Sequence, residues 1–309
     1  MPLFIKEKAV CDFENLEEFW AKYGDDLKPT AQKFLDQQPH CKSQHLLYVF
    51  QREYATVDLA HGVVKTIGTD QATTCHMIVL HCPSTGIVSL AHIDGTKVPV
   101  GVKGMIDDIK TLMPSFPTLD LYMVGGFHDE RRISSENSMM LLREFMKQDI
   151  DINLQLACVS ELNDVVKEEN HWPKVYGIGV QLQGLSISVY PAKFPTRLPE
   201  TNLRGARLSM DRTMRRVYDQ TKGVLTLGPY TWFANILKSE DASRNLTDGE
   251  IRRKFSTSPL VEEPEFPQML RDSYKYLADN VMLTSTGKMP LVYEMNGNGD
   301  WILRTNLSQ

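Results

Sequence analysis

Two apolar runs, Met77–Cys82 (MIVLHC) and Ile87–Ile93 (IVSLAHI), flank Pro83-Ser84-Thr85-Gly86. That linker is a strong turn signal, so the unit reads as a β-hairpin. Pairing arithmetic then places two reactive side chains. Facing residues of an antiparallel pair share a constant index sum. A turn centred on Pro83-Ser84 gives a sum of 167 and sets Cys75 opposite His92. A four-residue turn over Pro83–Gly86 gives 169 and sets them diagonal. Either register puts thiol and imidazole on one face, about 4.5–8 Å apart at Cβ. A sum of 168 would put them on opposite faces.

A thiol needs such a neighbour to act as a nucleophile, because its free pKa of about 8.5 leaves little thiolate at neutral pH. An imidazole can take the thiol proton while sulfur attacks a carbonyl and forms a thioester. A hydroxyl or carboxylate at the strand entrance, from Thr69, Asp70 or Thr74, can orient the imidazole. Backbone N–H groups around Cys75 are candidate oxyanion donors. The competing readings are plain core residues or a metal site. His76, His81, Cys82 and His92 fall within 17 residues but lack the paired spacing of zinc ligands. Gly125-Gly126 lacks the pattern of a phosphate loop and reads as a turn.

The remaining chain reads as helices inserted between strands. An N-capped helix is expected from Asp12 through Phe13, Leu16, Phe19, Trp20 and Tyr23. Strands are expected at Leu46–Arg52, Leu119–Val124 and Asn153–Val159. Helices are expected over Gly101–Met113, after a Ser135 cap, and around Phe266–Leu277. Hairpins are expected across Gln183-Gly184, Gln220–Gly223 and Asn296–Gly299. The polar stretch Lys238–Arg253 reads as a surface loop. This pattern argues for an α+β fold with mostly antiparallel sheet. No repeat or linker divides the 309 residues, so one domain over 1–309 is expected.

Composition narrows the function classes. Thirty-four Lys and Arg against 39 Asp and Glu give a net charge of −5, a poor match to bulk nucleic-acid binding. No apolar run approaches the roughly 20 residues that span a bilayer. The opening MPLFIKEKAVCDFE lacks the apolar core of a secretory signal. Five scattered cysteines, Cys11, Cys41, Cys75, Cys82 and Cys158, make no disulfide framework and suit a cytosolic protein with reduced thiols. The sequons at Asn245 and Asn306 then read as accidental.

Several blocks resemble the eukaryotic protein N-terminal asparagine amidohydrolases. They are MPL at the start, LLYV from Leu46, IGTDQATTCHMIVL from Ile67, HIDGT from His92 and VGGF from Val124. Further blocks are ELND from Glu161, ENHWPKVYGI from Glu169, GPYTW from Gly228 and STSPLVEEPEF from Ser256. They run in order along nearly the whole chain, and ATTCH with HIDGT downstream is specific. The resemblance implies hydrolysis of the side-chain amide of an N-terminal Asn to Asp, with release of ammonia, as an entry step of N-degron protein degradation. It also implies an α-β-β sandwich like that of the necrotizing-factor toxins and chemotaxis-receptor glutamine deamidases.

Carried onto this chain, Cys75 is the nucleophile and His92 the base. The hydroxyl six positions before the cysteine is Thr69, where the mammalian members carry Ser; the change keeps the hydroxyl and adds a methyl. An enzyme that requires a free α-amine should offer it a hydrogen-bonding acceptor. Asp70 and Asp94 are candidates beside the pair. Ser258 and Glu262 are candidates from the STSPLVEE block, as is Pro2 at the start. Thioester chemistry needs no cofactor, and the ligand spacing predicts no metal. The partners implied are proteins or peptides with a free N-terminal Asn, not nucleic acid or membrane. A monomer in the cytoplasm is expected, with the nucleus as a second compartment. The alternatives are a catalytically silent peptide-binding module on the same scaffold and a deamidase of another amide such as Gln.

Overall fold

Antiparallel pairing of His76–His81 with Ile87–Ile93 sets Met77 opposite His92. The index sum is therefore 169, one of the two registers that bring Cys75 and His92 to a common face. The hairpin lies in a computed structural model that describes residues 3–39, 44–83, 85–115, 118–184, 186–209, 211–230, 243–280 and 289–304.

In chain order the first strands are β1 (Leu3–Ile5), β2 (Lys8–Ala9), β3 (Leu46–Tyr48), β4 (Glu53–Asp58), β5 (Thr66–Thr69), β6 (His76–His81), β7 (Ile87–Ile93), β8 (Thr118–Gly125) and β9 (Asp151–Val159). There follow β10 (Asp164–Lys167), β11 (Asn170–Pro173), β12 (Ile178–Gln183), β13 (Ser186–Pro191), β14 (Arg215–Arg216), β15 (Tyr218–Asp219), β16 (Val224–Leu227), β17 (Leu291–Met295) and β18 (Trp301–Leu303). The helices are α1 (Leu16–Leu35), α2 (Val98–Leu112), α3 (Ile133–Met146), α4 (Thr201–Arg207), α5 (Asp248–Phe255) and α6 (Phe266–Asp279).

An eight-stranded sheet has the order β14-β4-β7-β6-β8-β9-β1-β2. Its β8–β9, β1–β9 and β4–β14 pairs are parallel and its other pairs antiparallel. Separate four-stranded sheets run β13-β12-β5-β3 and β15-β16-β17-β18. The mixed α+β character and the antiparallel majority agree with the sequence reading.

Every residue of β6 and β7 is buried. Both strands are covered on both faces, which is why they read as continuous apolar runs. One face carries Ile78, Leu80, Ala91 and Ile93 against Phe19 and Tyr23 of α1, Met105 and Ile109 of α2, and Leu142 and Phe145 of α3. The other carries Met77, Val79, Val88 and Leu90 against Leu47, Ile67, Ile178 and Val180 of the second sheet and Leu225 and Tyr293 of the third. Each fully buried aliphatic side chain contributes about 1.5–3 kcal/mol relative to exposure. Cys82 and Cys158 fill space in these cores.

Four local expectations are corrected. The cap of α1 is Asn15, whose Oδ1 accepts the Glu18 N–H at 2.9 Å; Asp12 lies a turn too early and binds only the Phe13 N–H. The run Leu46–Arg52 is strand only over Leu46–Tyr48, and Arg52, at a φ of 60° that a strand cannot hold, turns the chain into β4. Ser135 lies inside α3, and Asp129 caps that helix by accepting the Ile133 and Ser134 N–H groups at 3.0 and 2.8 Å. Within Lys238–Arg253, residues 238–242 lie outside the described ones. From Asp248 the chain is helix α5, started by a Thr247/Glu250 capping box. Among the described residues, no helix is long and apolar enough to cross a membrane.

Candidate active site

Cys75 sits one residue before β6, where the chain leaves the buried sheet for a cavity of about 290 Å³. Its carbonyl accepts the Gly126 N–H at 2.9 Å. The end of β8 can come this close only because Gly125 has no side chain: at its φ of 131°, a Cβ would lie 2.3 Å from the Cys75 carbonyl oxygen. The preceding turn is held from both sides. Asn137 Nδ2 donates to the Thr74 carbonyl at 3.4 Å, and the Thr74 and Thr257 hydroxyls bond at 2.9 Å.

His92 lies in β7 between Met77 of β6 and Glu53 of β4. Its Nδ1 is 2.7 Å from Thr69 Oγ1 at the end of β5. If Nδ1–H donates to that oxygen, the Nε2 lone pair is left to act as base, the tautomer the chemistry requires. Nε2 makes no hydrogen bond among the described residues, although His92 is only 2% exposed. Cys75, 8% exposed, lines the same cavity. No hydrogen bond joins the two side chains directly; such contacts often tighten only with substrate bound.

Burial dominates the electrostatics of both groups. It draws the His92 imidazole down to about 4, against the upward pull of Asp94, Asp70 and Glu53. It pushes the Cys75 thiol well above its ordinary value; Asp94 and Glu262 push the same way, and Arg52 opposes them. At neutral pH the resting site is therefore a neutral thiol beside a neutral imidazole. His76, one residue on from Cys75, is drawn by burial to about 3, and its Nε2 is 2.7 Å from Ser138 Oγ.

These two imidazoles carry a pH prediction. An unfolded histidine binds its proton near pH 6.5, whereas His92 and His76 stay neutral in the fold to about 4 and about 3. Between those limits the unfolded state binds more protons, so stability is lost as pH falls below 6.5. The loss is expected to total several kcal/mol by pH 4. Urea midpoints across this range check it; midpoints unchanged from pH 6.5 to 4.5 would refute it.

Of the substrate-binding candidates, Asp94, Asp70 and Glu262 line the cavity. Asp94 accepts Arg52 Nε at 2.6 Å, Gln51 Nε2 at 2.9 Å and the Thr96 N–H at 3.0 Å. Burial pushes its carboxyl up, but the Arg52 guanidinium and these hydrogen bonds outweigh that and hold it below the usual carboxylate value. Asp70 is more fully engaged, by Tyr48 Oη at 2.6 Å, the Phe194 N–H at 2.7 Å and Arg197 Nε at 2.7 Å. Glu262 has fewer partners. Ser256 Oγ donates to its Oε1, and burial raises its carboxyl above the ordinary value. Ser258 lies behind the cavity wall; its N–H donates to Ser256 Oγ at 2.9 Å and its own hydroxyl is buried without a hydrogen bond. Pro2 and Cys41 lie outside the described residues.

The sequence reading missed the arginines that frame this site. Arg204 and Arg207 of α4 are wholly buried with Glu53. Arg204 Nη2 lies 2.5 Å from Glu53 Oε2 and 2.7 Å from the Tyr48 carbonyl; Arg207 Nη2 holds the Gln51 carbonyl at 2.7 Å. They fix the Tyr48–Glu53 connection, and with it the Gln51 and Arg52 side chains on Asp94. Arg252 bonds the carbonyls of Glu262, Glu263 and Pro264 and hangs the Glu262 segment on α5. Two arginines three apart on a short helix carry no local signal of burial, because such residues normally face solvent.

A buried thiol and an imidazole on one cavity, with a hydroxyl bonded to that imidazole behind it, are the groups found in thiol-dependent hydrolases. Comparison with known proteins narrows that class. The profile of the protein N-terminal asparagine amidohydrolase family matches residues 36–303. The chain is 38% identical over 263 residues to the protein N-terminal asparagine amidohydrolase of Sus scrofa, covering 84% of this chain and 83% of that protein. It is 37% identical to the Homo sapiens protein of that name, covering 84% of each. Against the Arabidopsis thaliana protein it is 25% identical, over 95% of this chain and 88% of that one. The chain belongs to the protein N-terminal asparagine amidohydrolase family.

Proposed function

We propose that this chain hydrolyses the side-chain amide of N-terminal asparagine in proteins and peptides, giving N-terminal aspartate and ammonia. Family membership carries the reaction and substrate. The observation that carries the site is the Thr69–His92 hydrogen bond beside the Cys75 cavity.

In the proposed mechanism His92 Nε2 takes the Cys75 proton as sulfur attacks the side-chain carbonyl carbon. The C–S bond forms and the carbonyl π electrons move to oxygen. Collapse breaks the C–N bond, and His92 gives its proton to the departing ammonia. A water then adds to the thioester, its proton passing to His92. The C–S bond breaks, His92 returns its proton to sulfur, and the new carboxyl group gives its remaining proton to solvent as aspartate leaves. Thr69 keeps Nδ1 in place throughout. Asp94, Asp70 and Glu262 are the proposed acceptors around the α-ammonium. Glu262 is the best placed of them, since it has no direct ion-pair partner among the described residues. Ser258 supports that segment, and Pro2 stays a candidate.

The helix–sheet–sheet order of the two cores supports an α-β-β sandwich akin to the necrotizing-factor and chemotaxis deamidases. Cavity residues from Tyr48 to Ser273 support one domain over 1–309. The product's N-terminal aspartate would feed the N-degron route in the cytoplasm and nucleus.

The test is ammonia release from two peptides that differ only in a free or acetylated N-terminal Asn, with wild type and Cys75→Ala. Release from the free peptide alone, abolished in the variant, is expected. Equal release from a matching N-terminal Gln peptide would move the assignment to a broader amide deamidase. Binding of the free peptide without release would leave a silent binding module.

A further inference from the structure

The cavity around Cys75 is unbalanced in charge. Asp70, Asp94, Glu262 and Glu263 line it, and Arg52 is the one Lys or Arg among the described lining residues. Arg52 is already paired, at 2.6 Å from Asp94. Asp70 and Glu263 likewise have Arg197 and Lys193 behind them, each at 2.7 Å, outside the lining. Glu262 interacts with the Ser256 and Thr73 hydroxyls and feels the Arg252 guanidinium, but no cation lies within ion-pairing distance of it among the described residues, and burial still raises its carboxyl. Meanwhile His92 Nε2, deep in the site, is without a hydrogen bond.

That imbalance works against the first chemical step. Moving the thiol proton to His92 creates a negative sulfur facing Asp94 and Glu262, with Arg52 and the new imidazolium in its favour. The imidazole side is provided for: Asp94, Asp70 and Glu53 favour its cation, and His76 on the neighbouring strand is neutral. What the resting site lacks is an unpaired positive charge near sulfur that does not itself come from the thiol proton. In an N-terminal asparagine the α-nitrogen is three bonds from the side-chain carbonyl carbon, hence within roughly 4 Å of the atom that sulfur attacks.

We propose that the substrate's own α-ammonium is the cation that completes this site. Its arrival beside Glu262 and Cys75 drives the thiol proton onto His92 Nε2, so a free N-terminus sets the rate of amide cleavage as well as binding. This rests on the deamidase reading and deepens it. An acetylated or internal asparagine then meets an inert thiol, and selectivity is enforced at the chemical step. An opposite charge at about 4–6 Å changes a thiolate population about 10- to 1000-fold.

The experiment compares two peptides. One begins with Asn; the other carries a hydroxyl in place of the α-amine and is otherwise the same. Ammonia release is followed in a single turnover at saturating peptide, because ammonia leaves in the acylation step. The saturating rate is expected to fall about 10- to 1000-fold for the hydroxy peptide. An unchanged saturating rate, with only a higher half-saturating concentration, overturns the proposal. A second readout does not depend on turnover. A peptide beginning with Leu has the shape of Asn without the amide. With its amine free, its binding is expected to raise the ultraviolet absorbance of thiolate in wild type but not in Cys75→Ala, and its acetylated form is expected to do nothing. Binding without any thiolate signal overturns the proposal, and if the hydroxy peptide fails to saturate, this readout decides. No ammonia from the Asn peptide itself would instead sink the deamidase reading.

Discussion

Replacing Glu53 with alanine is expected to cost the fold about 3–5 kcal/mol, because it strands two buried guanidinium groups. Glu53, Arg204 and Arg207 all have side-chain exposures of 0%. Burial alone would push the Glu53 carboxyl up, yet Arg204 and Arg207 outweigh it and hold it below its ordinary value. The carboxylate also accepts the Phe50 N–H at 3.0 Å, so backbone loses a partner too. Urea unfolding of wild type and Glu53→Ala measures the difference. A loss under about 1 kcal/mol, the size found for exposed pairs, would refute the argument. Replacing all three residues together with apolar ones of similar volume should recover only part of the stability: no uncompensated charge remains, but the Tyr48 and Gln51 carbonyls and the Phe50 N–H lose their partners.

Removing the base should have the largest effect on rate after loss of the nucleophile. His92→Ala is expected to lower kcat about 10²- to 10⁴-fold with little change in KM, the usual contribution of a positioned proton-transfer group. Added imidazole should restore part of the rate, since the deletion opens a space where the ring stood. Thr69 has a narrower role. Thr69→Val keeps the shape but leaves Nδ1 without its oxygen, a loss of about 1–3 kcal/mol in holding the ring. Thr69→Ser should retain most activity. A fully active His92→Ala, or equal rates for the Val and Ser variants at position 69, would remove these groups from the proposed mechanism.

The central hairpin and its register were legible in the sequence because one side-chain alternation and one turn decide them. Met77 faces His92, as the four-residue turn requires. The Thr69 hydroxyl was also legible, as one of three groups at the strand entrance. The structure selects it by the 2.7 Å contact to His92. What remained hidden depends on distant segments folding onto this hairpin. Nothing near Asp94 announces that Arg52 will meet it, since that contact needs the Tyr48–Glu53 connection to be clamped by α4. Asp70 reads as a free acid beside the nucleophile, yet Arg197, 127 positions away, takes both its oxygens. The cap of α1 was missed because Asp12 and Asn15 are both good capping types, and only the packing of Leu16 and Phe19 selects between them.

The Arg252 grip on the carbonyls of Glu262 to Pro264 has a consequence for a chain still being made. Thr257, Glu262 and the α6 residues that wall the cavity are translated nearly two hundred positions after Cys75. On the ribosome, the thiol and imidazole can meet as soon as the first half has folded, but this wall of the cavity is still missing. Glu262 and part of the burial that keeps the thiol neutral come from that late wall, so the half-made chain presents a less shielded cysteine than the finished one.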